Sequence, residues 1–224
     1  MKVVNTEVGI ELDIEENNIY ELIIEHSDSF YKVVGSLVRQ VEGVDGDFIV
    51  SDNNKALKMD KNAEIMVDYY SFSPNNRKII SKLYSKLEKL AEDFVVEKAN
   101  INSELVSLMD KLTVSLGYGE VEYDLDFKWT DMFKLYNVSF LETYESLLEK
   151  LTGYIKIITE LTDIKILFLV NIKSYLSCEE VEKLYQMVKY YKVNLVLIES
   201  VERPWTNQEK RYIIDKDRCF IDVN

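Results

Sequence analysis

Apolar residues form short uninterrupted runs near both ends of the chain and follow helical spacing in its middle. Near the C-terminal end, Ile166–Val170 is a run of five apolar residues, which is typical of a strand buried on both faces of a parallel sheet. Ser177, with Glu180 three residues later, is a capping-box signature for a helix start. A helical pattern continues to about Tyr191, and a second apolar run covers residues 195–198. The pattern predicts a βαβ unit with a right-handed crossover.

The first seventy residues carry the same strand-type pattern. Residues 10–14 alternate between apolar and acidic side chains and predict one arm of a hairpin, with residues 2–8 as the other. Ile19–Ile24 is interpreted as a core strand. Ser27 and Asp28 then open a helix whose apolar positions recur at helical spacing. Further short strands are expected near residues 48–50 and 65–67.

The middle of the chain is helical in pattern, and this divides the protein. Helical periodicity covers residues 76–98, 103–117, 128–136 and 142–161. Strand-type runs occur only before residue 70 and after residue 164, where residues 212–214 and 219–221 suggest two last short elements. The sequence therefore predicts an α/β head domain formed by both chain ends, residues 1–70 and 163–224, with an inserted α-helical domain at residues 71–162.

Composition narrows the class of protein. The 224 residues are 47% apolar and 30% charged, with 7 Gly and 2 Pro, as in a globular chain with long elements. No apolar run approaches the roughly 18 residues of a membrane span, and the first residues do not follow the pattern of a signal peptide. Cys178 and Cys219 lack a metal-type spacing. We therefore expect a cytoplasmic protein without a membrane segment.

The net charge of −13 argues against non-specific nucleic-acid binding, yet the charge is uneven. Four lysines recur one helical turn apart in the helix predicted after residue 76, so a single face would carry them: Lys78, Lys82, Lys86 and Lys89. A second basic group comprises Lys55, Lys58 and Lys61. A local basic stripe can attract a phosphate backbone even on an acidic protein. The alternative is an ordinary solvated helix face.

Motifs for nucleotide or nucleophilic catalysis are incomplete. Residues 25–30, which follow the predicted first core strand, contain no glycine and no lysine, so the requirements of a P-loop are unmet. The strand Ile166–Val170 ends in Asn171, and an amide binds Mg²⁺ more weakly than a carboxylate. His26 beside Ser27 and Asp28 is most simply interpreted as helix capping; a catalytic triad is not excluded by spacing. Cys178 is interpreted as structural.

An alternating acidic segment is the sharpest local feature of the predicted insertion: Glu120, Glu122, Asp124 and Asp126. In an extended chain these carboxylates lie on one side, where like charges repel unless a cation joins them. Ca²⁺ takes several carboxylate oxygens in irregular geometry, although the spacing is not that of an EF-hand. The alternative is a solvated acidic segment.

Several of these stretches resemble one known family. The strand of residues 165–171 ending in Val-Asn, the helix start Tyr-Leu-Ser-Cys-Glu-Glu-Val at 175–181 and the strand of residues 194–199 ending in glutamate are similar to the C-terminal region of the Csn-two family. These are CRISPR-associated adaptation proteins of type II-A loci. Residues 58–66 resemble the family's Lys-x-x-Lys-x-x-Glu-Ile-Met segment, and residues 212–215 its Tyr-Ile-Leu-Asp. The first sixty residues match poorly.

The resemblance implies a specific architecture and function. Family members are homotetrameric rings, each subunit having a degenerate P-loop-like α/β head and an inserted α-helical leg. The ring binds ends of double-stranded DNA through lysines, without sequence preference and without catalysis. It assists the acquisition of new spacers together with the integrase complex and Cas-nine. Ca²⁺ at acidic leg residues supports the ring.

Only some residues carry over from the family pattern. Lys58 and Lys61 match it directly, whereas Lys78, Lys82 and Lys86 rest on helical geometry, and the acidic segment corresponds only by position. The expected function is non-catalytic binding of DNA ends with Ca²⁺ as the cofactor. A divergent P-loop-type nucleotide-dependent enzyme and an acidic protein–protein adaptor remain alternatives.

Overall fold

The computed structural model describes residues 1–16, 18–116, 121–204, 206 and 208–223. The chain divides into two compact units. Unit 1 comprises residues 1–74 and 142–224, and unit 2 comprises residues 75–141.

Unit 1 is a mixed α/β structure with two sheets. The strands among its described residues are β1 Lys2–Asn5, β2 Ile10–Asp13, β3 Ile19–Ile24, β4 Phe48–Asp52, β5 Lys55–Ala56, β6 Ala63–Met66, β7 Ile166–Val170, β8 Asn194–Glu199, β9 Glu209–Ile214 and β10 Phe220–Asp222. Its helices are α1 Ser27–Val41, α2 Met59–Asn62, α6 Leu147–Leu161 and α7 Cys178–Tyr191.

The larger sheet has the order β10-β9-β3-β8-β7-β6. Strands β9, β3, β8, β7 and β6 run parallel, and β10 pairs antiparallel with β9 at one edge. The predicted unit β7–α7–β8 is confirmed, including the capping box in which Ser177 and Glu180 exchange hydrogen bonds. Every residue of β7 is buried, as its uniform apolar run requires.

The smaller sheet is antiparallel, in the order β2-β1-β4-β5. The predicted hairpin is present, with Val3 opposite Leu12. One hydrophobic core joins α1 and the inner faces of both sheets, and Tyr20, Leu22 and Phe168 belong to it. On β3 these core residues alternate with Glu21, whose side chain therefore lies on the opposite face of the sheet.

Unit 2 is helical. It contains α3 Arg77–Ala91, α4 Val95–Ser115 and α5 Trp129–Leu135. None of the 21 residues of α4 is buried. Apolar side chains at least one-third exposed follow a spacing of seven, four, three and four residues along it: Phe94, Ile101, Leu105, Leu108 and Leu112. Helices that pack against each other use such a spacing, and Val95, Val96, Met109 and Val114 are further exposed apolar residues of α4.

The observed boundaries differ from the predicted ones at three places. The helix α6, which the sequence assigned to the insertion at residues 71–162, belongs to unit 1, because Leu151, Ile155 and Ile158 are buried there and α6 packs on α7. The helix predicted at residues 76–98 is two helices, because α3 ends at Ala91 and α4 begins at Val95. The acidic stretch predicted to be extended has no strand among residues 121–126.

Within the described part of the chain, no helix is both long enough and apolar enough to cross a membrane.

Candidate functional site

The turn after β7 uses the side chain of Asn171 for its own structure. Asn171 adopts a left-handed backbone conformation with φ of 55°. Its Oδ1 accepts hydrogen bonds from the backbone N–H of Ser200 at 2.8 Å and from the Ser200 hydroxyl at 2.9 Å. Its backbone N–H donates to the carbonyl oxygen of Ile198 at 2.8 Å. Asn171 therefore joins the carboxyl ends of β7 and β8.

Glu199, at the end of β8, is wholly buried. Its Oε1 accepts a hydrogen bond from the backbone N–H of Lys173 at 3.1 Å, and Oε2 has no partner among the described residues. Burial raises the pKa of Glu199 to about 7, and the charge of Glu21 acts in the same direction. A carboxyl group with this pKa suits proton transfer, but a substrate would reach it only if the surrounding turn opened.

A buried ionic network lies beside Glu199, on the face of the large sheet turned toward α7. Glu21 forms ion pairs with Lys173 at 2.8 Å and with the Nε of Arg211 at 2.7 Å. Lys173 also pairs with Glu209 at 2.8 Å, and the hydroxyl of Tyr185 on α7 donates to the same Glu209 oxygen. Although burial acts in the opposite direction, the hydrogen bonds from Lys173, Thr206 and Tyr185 lower the pKa of Glu209.

The network also fixes the segment between β8 and β9. Arg211 donates to the carbonyl oxygen of Arg203 at 2.9 Å and pairs with Glu202 at 3.0 Å. Thr206 donates to Glu209 through its hydroxyl at 2.7 Å. Sequence reasoning missed this network because its members are far apart in the chain. One signal was available, since Glu21 is the single charge in the strand Ile19–Ile24.

The position where a P-loop would follow β3 holds a capped helix. The ring Nδ1 of His26 accepts a hydrogen bond from the backbone N–H of Ser29 at 3.2 Å, which confirms the capping interpretation. Asp28 pairs with Lys32 at 2.9 Å and lies 3.7 Å from Arg218. Cys178, the first residue of α7, is exposed and not in a disulfide.

The predicted basic stripe lies on the outer face of α3. Its four lysines are all exposed: Lys78, Lys82, Lys86 and Lys89. Ile79 is buried, and Leu83 and Leu87 are half-buried on the opposite side. The structure therefore brings these four charges together on one face of unit 2.

The second basic group lies in unit 1. Lys55 is in β5, Lys58 directly precedes α2 and Lys61 is in α2, and all three side chains are exposed. Helix α2 leads into the amino end of β6, so the group lies at the opposite end of the sheet from Asn171. Lys165, at the start of β7, donates a backbone hydrogen bond to Asn62 and pairs with Asp52 at 2.8 Å.

The acidic segment supplies few free ligands for a cation. Glu120 lies outside the described residues. Glu122 and Asp124 are exposed, while Asp126 is bound to Lys98 at 2.9 Å. Asp124 and Asp126 line a groove of about 380 Å³. Across the residues that the structure describes, no three acidic, histidine or cysteine side chains stand close enough to hold a metal ion. The single chain therefore does not fit a Ca²⁺ site on its described residues.

Comparison with known proteins gives one family. The family model described as CRISPR-associated protein (Cas_Csn2) matches residues 40–218. The chain is 23% identical over 213 residues to the CRISPR-associated protein Csn2 of Enterococcus faecalis, covering 93% of each sequence. It is 23% identical over 219 residues to the Csn2 of Streptococcus agalactiae, covering 95% of this chain and 90% of the relative. The resemblance inferred from residues 58–66 and 165–199 is thereby confirmed.

A search of solved structures finds an ABC transporter ATP-binding protein from Pyrococcus furiosus. The two chains are 12% identical, the match covers 91% of this chain and 88% of the other, and the TM-score is 0.41. A TM-score this low supports no argument about fold or function.

Proposed function

Because the chain belongs to the Cas_Csn2 family of CRISPR-associated proteins, we propose that it holds the ends of double-stranded DNA during the acquisition of new spacers. Binding is independent of sequence and involves no catalysis. The family supports a role in CRISPR adaptation, and the lysines of this chain supply the chemistry for the DNA contact. Under this proposal, the integrase complex and Cas-nine are the protein partners.

The observation that carries the proposal is the lysine face of α3. Lys78 to Lys89 span eleven residues, which is about 17 Å along a helix. Phosphates on one DNA strand are spaced by about 3.4 Å along the duplex axis, so such a row can face several of them. Lysines bind phosphates as point charges and carry no base-reading geometry, which agrees with sequence-independent binding. The second group, Lys55, Lys58 and Lys61, supplies further exposed positive charge in unit 1.

Assembly into a homotetrameric ring is part of the proposal. The apolar seam of α4, from Phe94 to Leu112, is exposed in the single chain. Covering it with another copy would remove this surface from water, which is the main driving force of association. We propose that Ca²⁺, bound at acidic residues of unit 2, supports this assembly. Since Glu122 and Asp124 do not form a closed site alone, ligands from a second copy would complete it.

The two alternatives have weaker support in the described residues. For a P-loop-type enzyme, the segment after β3 presents His26 and Asp28 in capping and ion-pair contacts where a phosphate would need free amides and a lysine. A purely acidic adaptor would leave the lysine face of α3 without a function. Calorimetry with ATP and Mg²⁺ separates the enzyme from the DNA-binding ring, which predicts neither heat nor hydrolysis.

The central experiment measures binding to linear duplex DNA as a function of salt. The affinity should fall steeply as salt rises, and closed circular DNA should compete poorly. Replacing Lys82 and Lys86 by alanine should reduce the slope of log affinity against log salt by about 1 for each lysine that contacts a phosphate. Equal affinity for circles and linear fragments would contradict end binding.

A matched control is the pair Lys183→Ala and Lys216→Ala. Both lysines are exposed in unit 1 and belong to neither basic group, so the control loses the same charge. It should keep the wild-type salt slope. The adaptor alternative is tested by the double variant Lys58→Glu with Lys61→Glu. If this variant and the variant with alanine at Lys82 and Lys86 both retain DNA as well as the wild type does, the adaptor alternative is supported.

Oligomeric state is measured as particle mass in solution, with and without Ca²⁺. The proposal expects a tetramer whose dissociation constant falls when Ca²⁺ is added. Leu105→Gln with Leu112→Gln should shift the mass toward smaller species. A wild-type protein that remains monomeric in both conditions would exclude the ring.

A further inference from the structure

A pocket of about 420 Å³ lies in unit 1 at the carboxyl ends of β6 and β7. In α/β proteins, ligands usually bind at the carboxyl ends of the parallel strands. Four tyrosines and two glutamates line it: Tyr69, Tyr70, Tyr144, Tyr175, Glu142 and Glu145. We name it the tyrosine pocket. Neither lysine group contributes to its lining, and within unit 1 Lys58 and Lys61 are at the amino end of β6, opposite the pocket.

Contacts inside unit 1 hold part of the aromatic lining of the pocket in place. The buried Tyr69 donates its hydroxyl to the carbonyl oxygen of Val170 at 3.0 Å. The Tyr175 ring lies 5.0 Å from that of Tyr69 and 6.1 Å from that of Tyr70, measured between centroids. The Tyr144 ring packs against Gly153 on α6, where a Cβ would lie 3.2 Å from it. Contacts within unit 1 therefore position Tyr69 and Tyr144, and Tyr175 packs on the fixed ring of Tyr69.

Two of these rings face water. Tyr70 is 81% exposed and Tyr175 is 44% exposed, although large aromatic side chains are usually buried. Their planes are inclined by 78° to each other, so the two rings meet edge to face. The face of an aromatic ring carries a negative partial charge, which attracts a cation placed against it.

The carboxylates that border the pocket also favour a cationic ligand. The Glu142 carboxylate, held by the hydroxyl of Ser73 at 2.7 Å, and the exposed Glu145 both border the pocket. Behind its floor, burial together with the charge of Glu199 raises the pKa of Tyr69. Lys150 is the one cation among the described lining residues; its Nζ donates to the carbonyl oxygen of Tyr70 at 3.3 Å and lies 4.1 Å from the centroid of the Phe72 ring, so its charge is held by these two contacts.

We propose that the tyrosine pocket binds an arginine side chain from a basic segment of a partner protein. A guanidinium group is planar, stacks on aromatic rings and pairs with carboxylates, so it matches the exposed rings of Tyr70 and Tyr175 together with Glu145. Lys150 makes the same kind of contact with Phe72 within the chain. The glutamates would repel a phosphate, which argues against a nucleic-acid strand as the occupant.

The test uses a capped peptide of Arg-Gly repeats and the same peptide with citrulline in place of arginine. Citrulline keeps the shape of arginine and removes its charge. Calorimetry with the full-length protein should show the arginine peptide binding at least about ten-fold more tightly than the citrulline peptide. Tyr70→Ala or Tyr175→Ala should weaken binding of the arginine peptide by about five- to ten-fold, and Glu145→Gln by about three-fold.

Tyr190→Ala is the matched control, because Tyr190 is 75% exposed on α7 and contacts Tyr191, away from the pocket. It should leave peptide affinity unchanged, and circular dichroism should show all variants folded. Equal binding of the two peptides would overturn the proposal, as would equal effects of Tyr175→Ala and Tyr190→Ala. A single-stranded oligothymidine that displaces the peptide from the wild type but not from Tyr175→Ala would overturn it too. The affinity for duplex DNA ends should be the same in the Tyr70 and Tyr175 variants as in the wild type.

Discussion

The two units of this protein differ in how far they bury apolar and charged side chains. Unit 1 buries whole strands, and β3 and β7 have no exposed residue. Among the described residues of unit 2, Ile79 alone is buried. Charge follows the same division: Glu21, Glu209 and Arg211 are paired inside unit 1, whereas the lysines of α3 all face water.

The two units obtain their stability from different sources. Unit 1 closes its own core between two sheets and a helix, so its free energy of unfolding depends on contacts within the chain. Unit 2 leaves Leu105, Leu108 and Leu112 in water, at the spacing of a helix seam. Under the proposed assembly, another copy would cover this apolar surface.

The largest effect is expected from Lys173→Met. This change removes the cation that lies between Glu21 and Glu209 and leaves both carboxylates buried. The free energy of unfolding, measured by urea denaturation at neutral pH, should fall by about 3–5 kcal/mol. The control is Lys98→Met in unit 2, which breaks the exposed pair with Asp126 and should cost less than about 1 kcal/mol. Similar losses in the two variants would contradict the contrast.

The second prediction concerns apolar side chains, which unit 1 buries and unit 2 exposes. Leu169 is 0% exposed and Leu112 is 55% exposed. Leu169→Ala should lower the free energy of unfolding by about 2–5 kcal/mol, because it leaves a cavity. Leu112→Ala, measured in dilute protein where copies are separated, should change it by no more than about 0.5 kcal/mol. A large loss in dilute Leu112→Ala would show that α4 packs within its own chain.

The third prediction concerns pH. Burial raises the pKa of Glu199 from 4.5 to about 7, so the folded state keeps a proton that the unfolded state has lost. The contribution of Glu199 to the free energy of unfolding should therefore be highest below pH 4.5 and should fall between about pH 4.5 and 7. The loss is up to about 3 kcal/mol.

Replacing Glu199 by glutamine removes this titration. We expect the wild type to lose stability relative to Glu199→Gln as the pH rises from 5 to 8, measured as the difference in urea midpoint. Glu179→Gln, at an exposed position on α7, is the control and should follow the wild type. A constant difference between Glu199→Gln and wild type across this range would show that Glu199 does not titrate there.

The smallest effect on the folded chain, and the largest on assembly, is expected from Leu105→Gln with Leu112→Gln. The circular dichroism spectrum and the unfolding midpoint of dilute protein should stay close to the wild type, because both side chains are already exposed. Sedimentation should show a lower mass than the wild type at equal concentration. An unchanged mass would place the assembly surface elsewhere.

Interactions between residues close together in the chain allowed β7, α1, α3 and α7 to be predicted from the sequence. The apolar run of β7 can be satisfied only by burial on both faces. Ser177 and Glu180 cap α7 through bonds between neighbours in the chain, as His26 caps α1. The lysine spacing on α3 fixed one exposed face in advance, because helical geometry alone places residues four apart on the same side.

The signals failed where the deciding contact was distant. Helical spacing at residues 142–161 gave no indication that α6 would pack on α7 and join unit 1. The alternation of Glu122, Asp124 and Asp126 suggested an extended strand, yet Asp126 pairs with Lys98, and the segment is irregular where the structure describes it. A carboxylate can form ion pairs or hydrogen bonds with many kinds of partner, so the spacing of these residues alone did not predict which partners they have.

Sequence signals sufficed for the core strands β3, β7 and β8, the starts of α1, α3 and α7, the basic face of α3 and the family, because each depends on residues close together in the chain or on motif similarity. The fold was needed to show that Glu21, Lys173 and Arg211 meet in one buried network, and that four tyrosines from three segments of the chain line one pocket. The physical reason is that sheet order and helix packing bring together residues separated by tens to hundreds of positions. No local pattern encodes such a meeting.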